Sequence, residues 1–237
     1  MSPDIETRVA ALSWPGIRSE LDARGFAVAP QLLTAVERRA LRGMYGETEL
    51  FRSRIVMDRH NFGRGEYQYF AYPLPPLVAA LREAAYRPLA GIANAWAERL
   101  GQERRFPERH AELKAECERL GQVRPTPLLL RYGEGDYNCL HQDLYGELVF
   151  PLQLAVLLDQ PGEDFGGGEF VLTEQRPRMQ SRVEVVPLKR GDAVIFAVRE
   201  RPVKGARGDY RVQMRHGVSR LRTGSRHTLG VIFHDAE

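Results

Sequence analysis

The chain has 237 residues, 43% of them hydrophobic and 27% charged, with a formal net charge of +3. That balance suits a folded chain with one large core or two small ones, and it excludes disordered, collagen-like and low-complexity proteins. Its two cysteines, Cys117 and Cys139, form no CxxC pair, which excludes a disulfide framework and a zinc ribbon and points to a reducing cytoplasm.

The opening run MSPDIETRVAALSW carries Asp4 and Glu6 and no long apolar stretch, so no secretory signal is expected. The longest apolar runs, such as residues 150–158, are too short to cross a bilayer, and no membrane contact is expected. The basic residues are almost all arginine, with lysine only at 114, 189 and 204. This bias reads first as the codon usage of a GC-rich genome. It also allows a phosphate-bearing partner, because guanidinium groups suit phosphate.

In chain order, the first half reads mostly helical. Leu32, Val36, Ala40 and Met44 recur every four residues. A second pattern begins at Leu77 and Leu81, meets a predicted interruption at Pro88, and continues through Leu89, Ile92, Ala93, Trp96 and Leu100. Between them, residues 58–76 hold a turn at Gly63 and Gly65 and a short strand with Tyr67, Tyr69, Phe70 and Tyr72. Packed core is the simpler reading of that segment; a lid in which Arg59, His60 and Arg64 grip a polyanion is the other. Residues 102–119 read as a charged, solvated excursion with one short helix around Leu113.

Beyond residue 121 the character changes. Residues 127–132, 149–158, 168–172, 183–188, 192–198, 210–218 and 226–233 read as short strands, separated by YGEGD, PGEDFGGG, PLKRGD, VKGARGD and RTGS. This predicts an α+β chain with an antiparallel sandwich or barrel. No βαβ alternation, GxGxxG or Walker motif stands at a strand–helix junction, which disfavours nucleotide-binding α/β folds. The expected organisation is a single domain over 1–237, with 1–121 as helical support and substrate mouth and 122–237 as catalytic core.

The chemistry sits on histidines. His141 and Asp143 are two apart after an extended segment, so an imidazole and a carboxylate can share a face. His216 lies on the face of a predicted strand that also carries Tyr210, Val212, Met214 and Val218. Two histidines and one carboxylate with open positions make the facial triad of non-haem Fe(II) oxygenases. Such an iron needs an electron source; 2-oxoglutarate supplies electrons and needs a cation for its distal carboxylate. Arg226 is the candidate for that cation, with the Thr228 hydroxyl on the same strand face to assist; a surface salt bridge is the other reading. His60, His110, His227 and His234 have no comparable constellation, and His234-Asp235 reads as a terminal feature. Cys139 reads as core. Gly166-Gly167-Gly168 reads as a turn. Gln175, Arg176 and Arg178 read as solvated loop or substrate mouth, and the basic run of Arg199, Arg201, Lys204 and Arg207 reads as a solvated loop rather than a phosphate contact.

The ordered set HxD, His, then Arg about ten residues later resembles the Fe(II)/2-oxoglutarate-dependent dioxygenases, over roughly residues 122–237. That resemblance implies a double-stranded β-helix (jelly-roll or cupin-like) core. It also implies His141, Asp143 and His216 on Fe(II), Arg226 and Thr228 on 2-oxoglutarate, and O2 as co-substrate. The run 131-RYGEGDYNCLHQD-143 is similar to the Tyr-x-x-Gly lead of prolyl-hydroxylase-like members, which implies Tyr132 or Tyr137 on the co-substrate. The runs YQYFAYPLP, FGGGEFVLTEQRPRMQSR and RHGVSRLRTGSRHTLGVIFHDA resemble a bacterial subgroup of these oxygenases linked to oxidation of nucleic acids. The resemblance thus implies hydroxylation or oxidative demethylation of a nucleic acid or nucleobase. A protein side-chain or small-molecule hydroxylase, and a non-enzymatic cupin-like sensor, stand as alternatives.

Overall fold

The structure is a computed structural model that describes residues 3–237. Its helices are α1 (Ile5–Ala10), α2 (Trp14–Arg24), α3 (Ala35–Met44), α4 (Pro76–Arg99) and α5 (His110–Arg119). Its strands are β1 (Phe26–Ala29), β2 (Phe51–Val56), β3 (Gly63–Arg64), β4 (Glu66–Phe70), β5 (Leu128–Tyr132), β6 (Tyr137–His141), β7 (Leu152–Leu157), β8 (Phe165–Gly167) and β9 (Phe170–Gln175). They continue with β10 (Arg182–Val186), β11 (Ala193–Ala197), β12 (Glu200–Gly205), β13 (Gly208–Val218), β14 (Leu221–Gly224) and β15 (Arg226–Val231).

Two antiparallel sheets face each other. The larger runs β1-β11-β7-β15-β5-β4-β2; the smaller runs β10-β9-β13-β6-β3, with β12 also paired to β13, and a ribbon β14-β8 closes one side. The alternation of side chains along a strand assigns the two faces of the larger sheet. On β7, Leu152, Leu154 and Val156 pack outward with Leu81, Leu89 and Ala93 of α4, while Ala155 and Leu157 join Phe170, Phe196 and Val218 between the sheets. This is the antiparallel sandwich expected from the strand spacing, with the double-stranded β-helix arrangement that the resemblance implies, braced on one face by helices.

Several expectations are corrected. The first half is not only helical: β1, β2 and β4 extend the larger sheet and β3 the smaller one. Pro88 does not interrupt α4, which is continuous over 24 residues. The ring removes one backbone bond, but Ala85, Tyr86, Leu89 and Ala90 around it are buried, and that packing holds the helix together. The run after Arg199 is not a solvated loop but strand β12, and Arg201 is 1% exposed, ion-paired with the buried Glu174. Cys139 is exposed rather than core. His234 and Asp235 are buried: Asp235 accepts from Arg82 (2.7 Å) and from the Tyr72 hydroxyl (2.7 Å). Within residues 58–76 the simpler reading holds for Tyr69 and Phe70, which are packed, while Tyr67 reaches the cavity described next. No helix among the described residues is long and apolar enough to cross a membrane.

Candidate metal centre and co-substrate cavity

β6 and β13 are paired so that His141 lies directly opposite His216. Gly217 lets the two strands close up, because a Cβ there would meet the Asn138 carbonyl oxygen at 2.7 Å. The imidazole centroids are 4.2 Å apart. Asp143, two residues past His141, brings its carboxylate between them, with Oδ1 3.5 Å from His141 Nε2 and Oδ2 3.3 Å from His216 Nε2. One ligand atom from each residue fits within 4.8 Å of the others. His141 Nδ1 lies 2.7 Å from the Cys139 carbonyl oxygen, so Nδ1 carries the proton and donates, leaving the Nε2 lone pair free.

The carboxylate is held from behind. The Tyr145 hydroxyl donates to Asp143 Oδ1 at 2.6 Å, and the Tyr69 hydroxyl donates to Tyr145 at 3.0 Å. Burial alone would raise the Asp143 carboxyl, but the hydrogen bond from His216 and the two imidazoles hold it below the usual carboxylate range. Burial and the neighbouring His141 lower the pKa of His216, which favours the neutral, metal-binding imidazole.

A cavity of about 310 Å³ opens from these three residues into the space between the sheets. Arg226, Thr228, Tyr132 and Tyr67 line it. Arg226 is 2% exposed and sits opposite Tyr132 in the sheet. Its Nη1 donates to Thr228 Oγ1 at 2.7 Å, its Nε has no hydrogen-bond partner, and no carboxylate among the described residues pairs with it. A buried guanidinium without a counter-ion is costly unless a ligand anion completes it, and here it faces a cavity. Burial pushes the Tyr132 hydroxyl up to about 12, so it stays protonated and able to donate. The donor set, the free Nε2 of His141 and the unpaired cation together fit Fe(II) and a dicarboxylate.

The expected residues are not all at this site. Tyr137 does not line the cavity; its ring lies under the Arg220 guanidinium, 5.8 Å away. Gln175, Arg176 and Arg178 do not line it either, and Arg176 is tied to Glu174 at 2.8 Å. Gly168 does make a turn, with φ +64°. His227 has a partner after all, the buried Asp159 at 2.8 Å, but on the opposite sheet face from Arg226. Several cavity residues were missed, Tyr145 and Gln153 among them. Tyr145 continues the His-x-Asp alternation by one more step, and Gln153 is the lone polar residue in an apolar strand; both signals are visible in the sequence.

Residues 65–236 match the Oxygenase-NA family, described as "Oxygenase, catalysing oxidative methylation of damaged DNA". The chain belongs to this oxygenase family. An uncharacterised protein of Mycobacterium tuberculosis is 47% identical over 167 residues, covering 70% of this chain and 72% of that protein. Among solved structures, a 2OG-Fe(II) oxygenase-family oxidoreductase from Burkholderia pseudomallei aligns with TM-score 0.52 and 14% identity, over 95% of this chain and 94% of that one. A Pseudomonas putida prolyl-4-hydroxylase aligns with TM-score 0.50 and 15% identity, over 94% and 99%. The protein is thus an oxygenase, and its double-stranded β-helix fold is shared with solved 2OG-Fe(II) oxygenases.

Proposed function

We propose that this oxygenase hydroxylates or oxidatively demethylates a nucleobase, with His141, Asp143 and His216 as the Fe(II) ligands and Arg226, assisted by Thr228, as the anchor of 2-oxoglutarate. One observation carries the site assignment: three ligand atoms converge at one end of a cavity whose wall holds a buried, unpaired guanidinium. The nucleobase rests on the description of the family.

Fe(II), 2-oxoglutarate and O2 supply the oxidising power, yielding succinate and CO2 as a substrate C–H gains a hydroxyl; an N-methyl group hydroxylated in this way leaves as formaldehyde. The protein supplies geometry. His141 presents Nε2 because Cys139 fixes its tautomer, and Asp143 presents Oδ2 because Tyr145 occupies Oδ1. Arg226 and Thr228 orient the dicarboxylate through a fork of donors, and Tyr132 stands opposite with its hydroxyl protonated. The apolar walls of Leu128, Leu130, Phe170 and Phe196 keep water from the reacting face.

The test is anaerobic titration of apoprotein with Fe(II) and 2-oxoglutarate, read by the visible metal-to-ligand charge-transfer band. Wild type gives the band, His216→Ala abolishes it, and Arg226→Met needs roughly a hundredfold more co-substrate, since about 2–3 kcal/mol of charge-assisted hydrogen bonding is lost. A full-strength band in His216→Ala defeats the ligand assignment.

A further inference from the structure

Gln153 is the anomaly of the cavity wall. It lies in β7, whose six residues are all buried, and every other one of them is apolar. It is 4% exposed and lines the cavity, and among the described residues its Oε1 has no hydrogen-bond partner. A buried amide oxygen left without a partner opposes folding, whereas a leucine there would pack at no such cost. The groups that would offset it have to come from what fills the cavity, water or a ligand.

The register locates the amide. Gln153 pairs with Phe196, whose ring lies 4.7 Å from that of His216 on the opposite sheet. The next residue, Leu154, pairs with Val231, five residues along β15 from Arg226. At about 3.3 Å per residue, Gln153 is at the metal end of the cavity, far from the cation. The carboxamide offers one acceptor and one donor side by side. A carboxylate at that place could use the donor but would meet the acceptor oxygen to oxygen; it does not complete the pair. A peptide bond does not either. The N–H and C=O of a single trans peptide group point in opposite directions, and a peptide chain would have to offer the N–H and C=O of one extended residue instead. A nucleobase edge can complete the pair, because the ring fixes a donor and an acceptor on the same side.

We propose that Gln153 is a specificity-determining residue that reads the donor–acceptor edge of a nucleobase placed beside the metal. This rests on the oxygenase reading above and deepens it to a substrate contact. The base is delivered out of its stack, because a cavity enclosed between two sheets admits no duplex. Phe62 (48% exposed), Leu140 (44%) and Leu144 (41%) form an apolar rim at which such a base enters. The ring of His60 stacks on Phe62 at 5.4 Å, giving the rim an extended aromatic surface.

The experiment uses the full chain loaded anaerobically with Fe(II) and 2-oxoglutarate. Four fluorescent single-stranded decamers, each of one base type, are titrated by anisotropy at fixed salt into wild type, Gln153→Leu and Gln153→Glu. The charge-transfer band is recorded in every sample, so that loss of the cofactor site is seen separately from loss of base reading. Wild type is expected to favour one base by roughly tenfold or more, the scale of one bidentate base contact. Gln153→Leu is expected to keep the band and flatten the preference. Gln153→Glu, which offers acceptors only, is expected to move the preference toward a base that presents an amino group. Equal binding of all four decamers by wild type, or an unchanged preference in Gln153→Leu, overturns the proposal. So does a Gln153→Leu protein that needs tenfold more 2-oxoglutarate for its band, because the amide then serves the co-substrate.

Discussion

Asp143 has two carboxylate oxygens, and its neighbours give them different work. Tyr145 donates to Oδ1, so Oδ2, facing His216, is the oxygen left for a metal. Tyr145→Phe is therefore expected to weaken Fe(II) binding by about 10- to 100-fold, the usual effect of losing an outer hydrogen bond to a ligand. Anaerobic competition against a coloured Fe(II) chelator measures it. Tyr69→Phe acts through Tyr145 and is expected to cost less. At this scale the convergence of His141, Asp143 and His216 was legible in the sequence, because residue alternation and chain order suffice to bring them together. Tyr137 misled because its ring is drawn under Arg220, a contact set by a loop after β13 that no local pattern announces. The burial of Arg201 was hidden for a similar reason: its partner Glu174 is 27 residues away on another strand.

At the scale of elements, the turn after β8 shapes the cavity. Gly168 has φ +64°, and a Cβ there would meet Leu221 Cδ1 at 2.2 Å and Arg226 Cδ at 3.2 Å. Gly168→Ala is expected to destabilise the fold by about 1–3 kcal/mol through backbone strain and to push the guanidinium off its position. Thermal unfolding and the 2-oxoglutarate titration read the two effects separately. Most strands beyond residue 121, though not β8, β12 or β14, were legible as apolar runs cut by Gly and Pro turns. β1 and β2 were not. β1 is only four residues, FAVA, and its backbone is satisfied by pairing with β11, which follows it by more than 160 residues. β2, FRSRIV, carries two arginines and is half-exposed, so no face of it repeats an apolar pattern. Such segments become strands because a template edge is waiting for them.

For the molecule as a whole, an unpaired buried cation means that stability and ligand occupancy are linked. A mixture of Mn(II) and 2-oxoglutarate at a hundred times its dissociation constant is expected to add about 2.7 kcal/mol, which raises the melting temperature by roughly 5–10 °C for a chain of this size. Arg226→Met is expected to melt no lower than wild type when both are free of ligand, and to lose most of that rise. Acid has a definite sign too. Burial lowers His110 to about 3 and His234 to about 4, each against an ordinary value near 6.5. Between those limits the unfolded chain binds more protons than the folded one, so stability falls as pH drops below about 6.5 and is flat with respect to these groups above it. Each histidine contributes a slope approaching about 1.4 kcal/mol per pH unit. Denaturant melts at pH 7, 6 and 5 check this, and His110→Asn is expected to reduce the slope.

Strand β15 lies between β7 and β5, yet it is made after both of them. While the chain is being synthesised, those two strands wait with open edges, and the cavity lacks the wall that carries Arg226. Capture of a ligand at Arg226 therefore cannot begin until β15 has emerged and the sheet has closed. The open edges of β5 and β7 are the surfaces on which a stalled or truncated chain would pair with another copy.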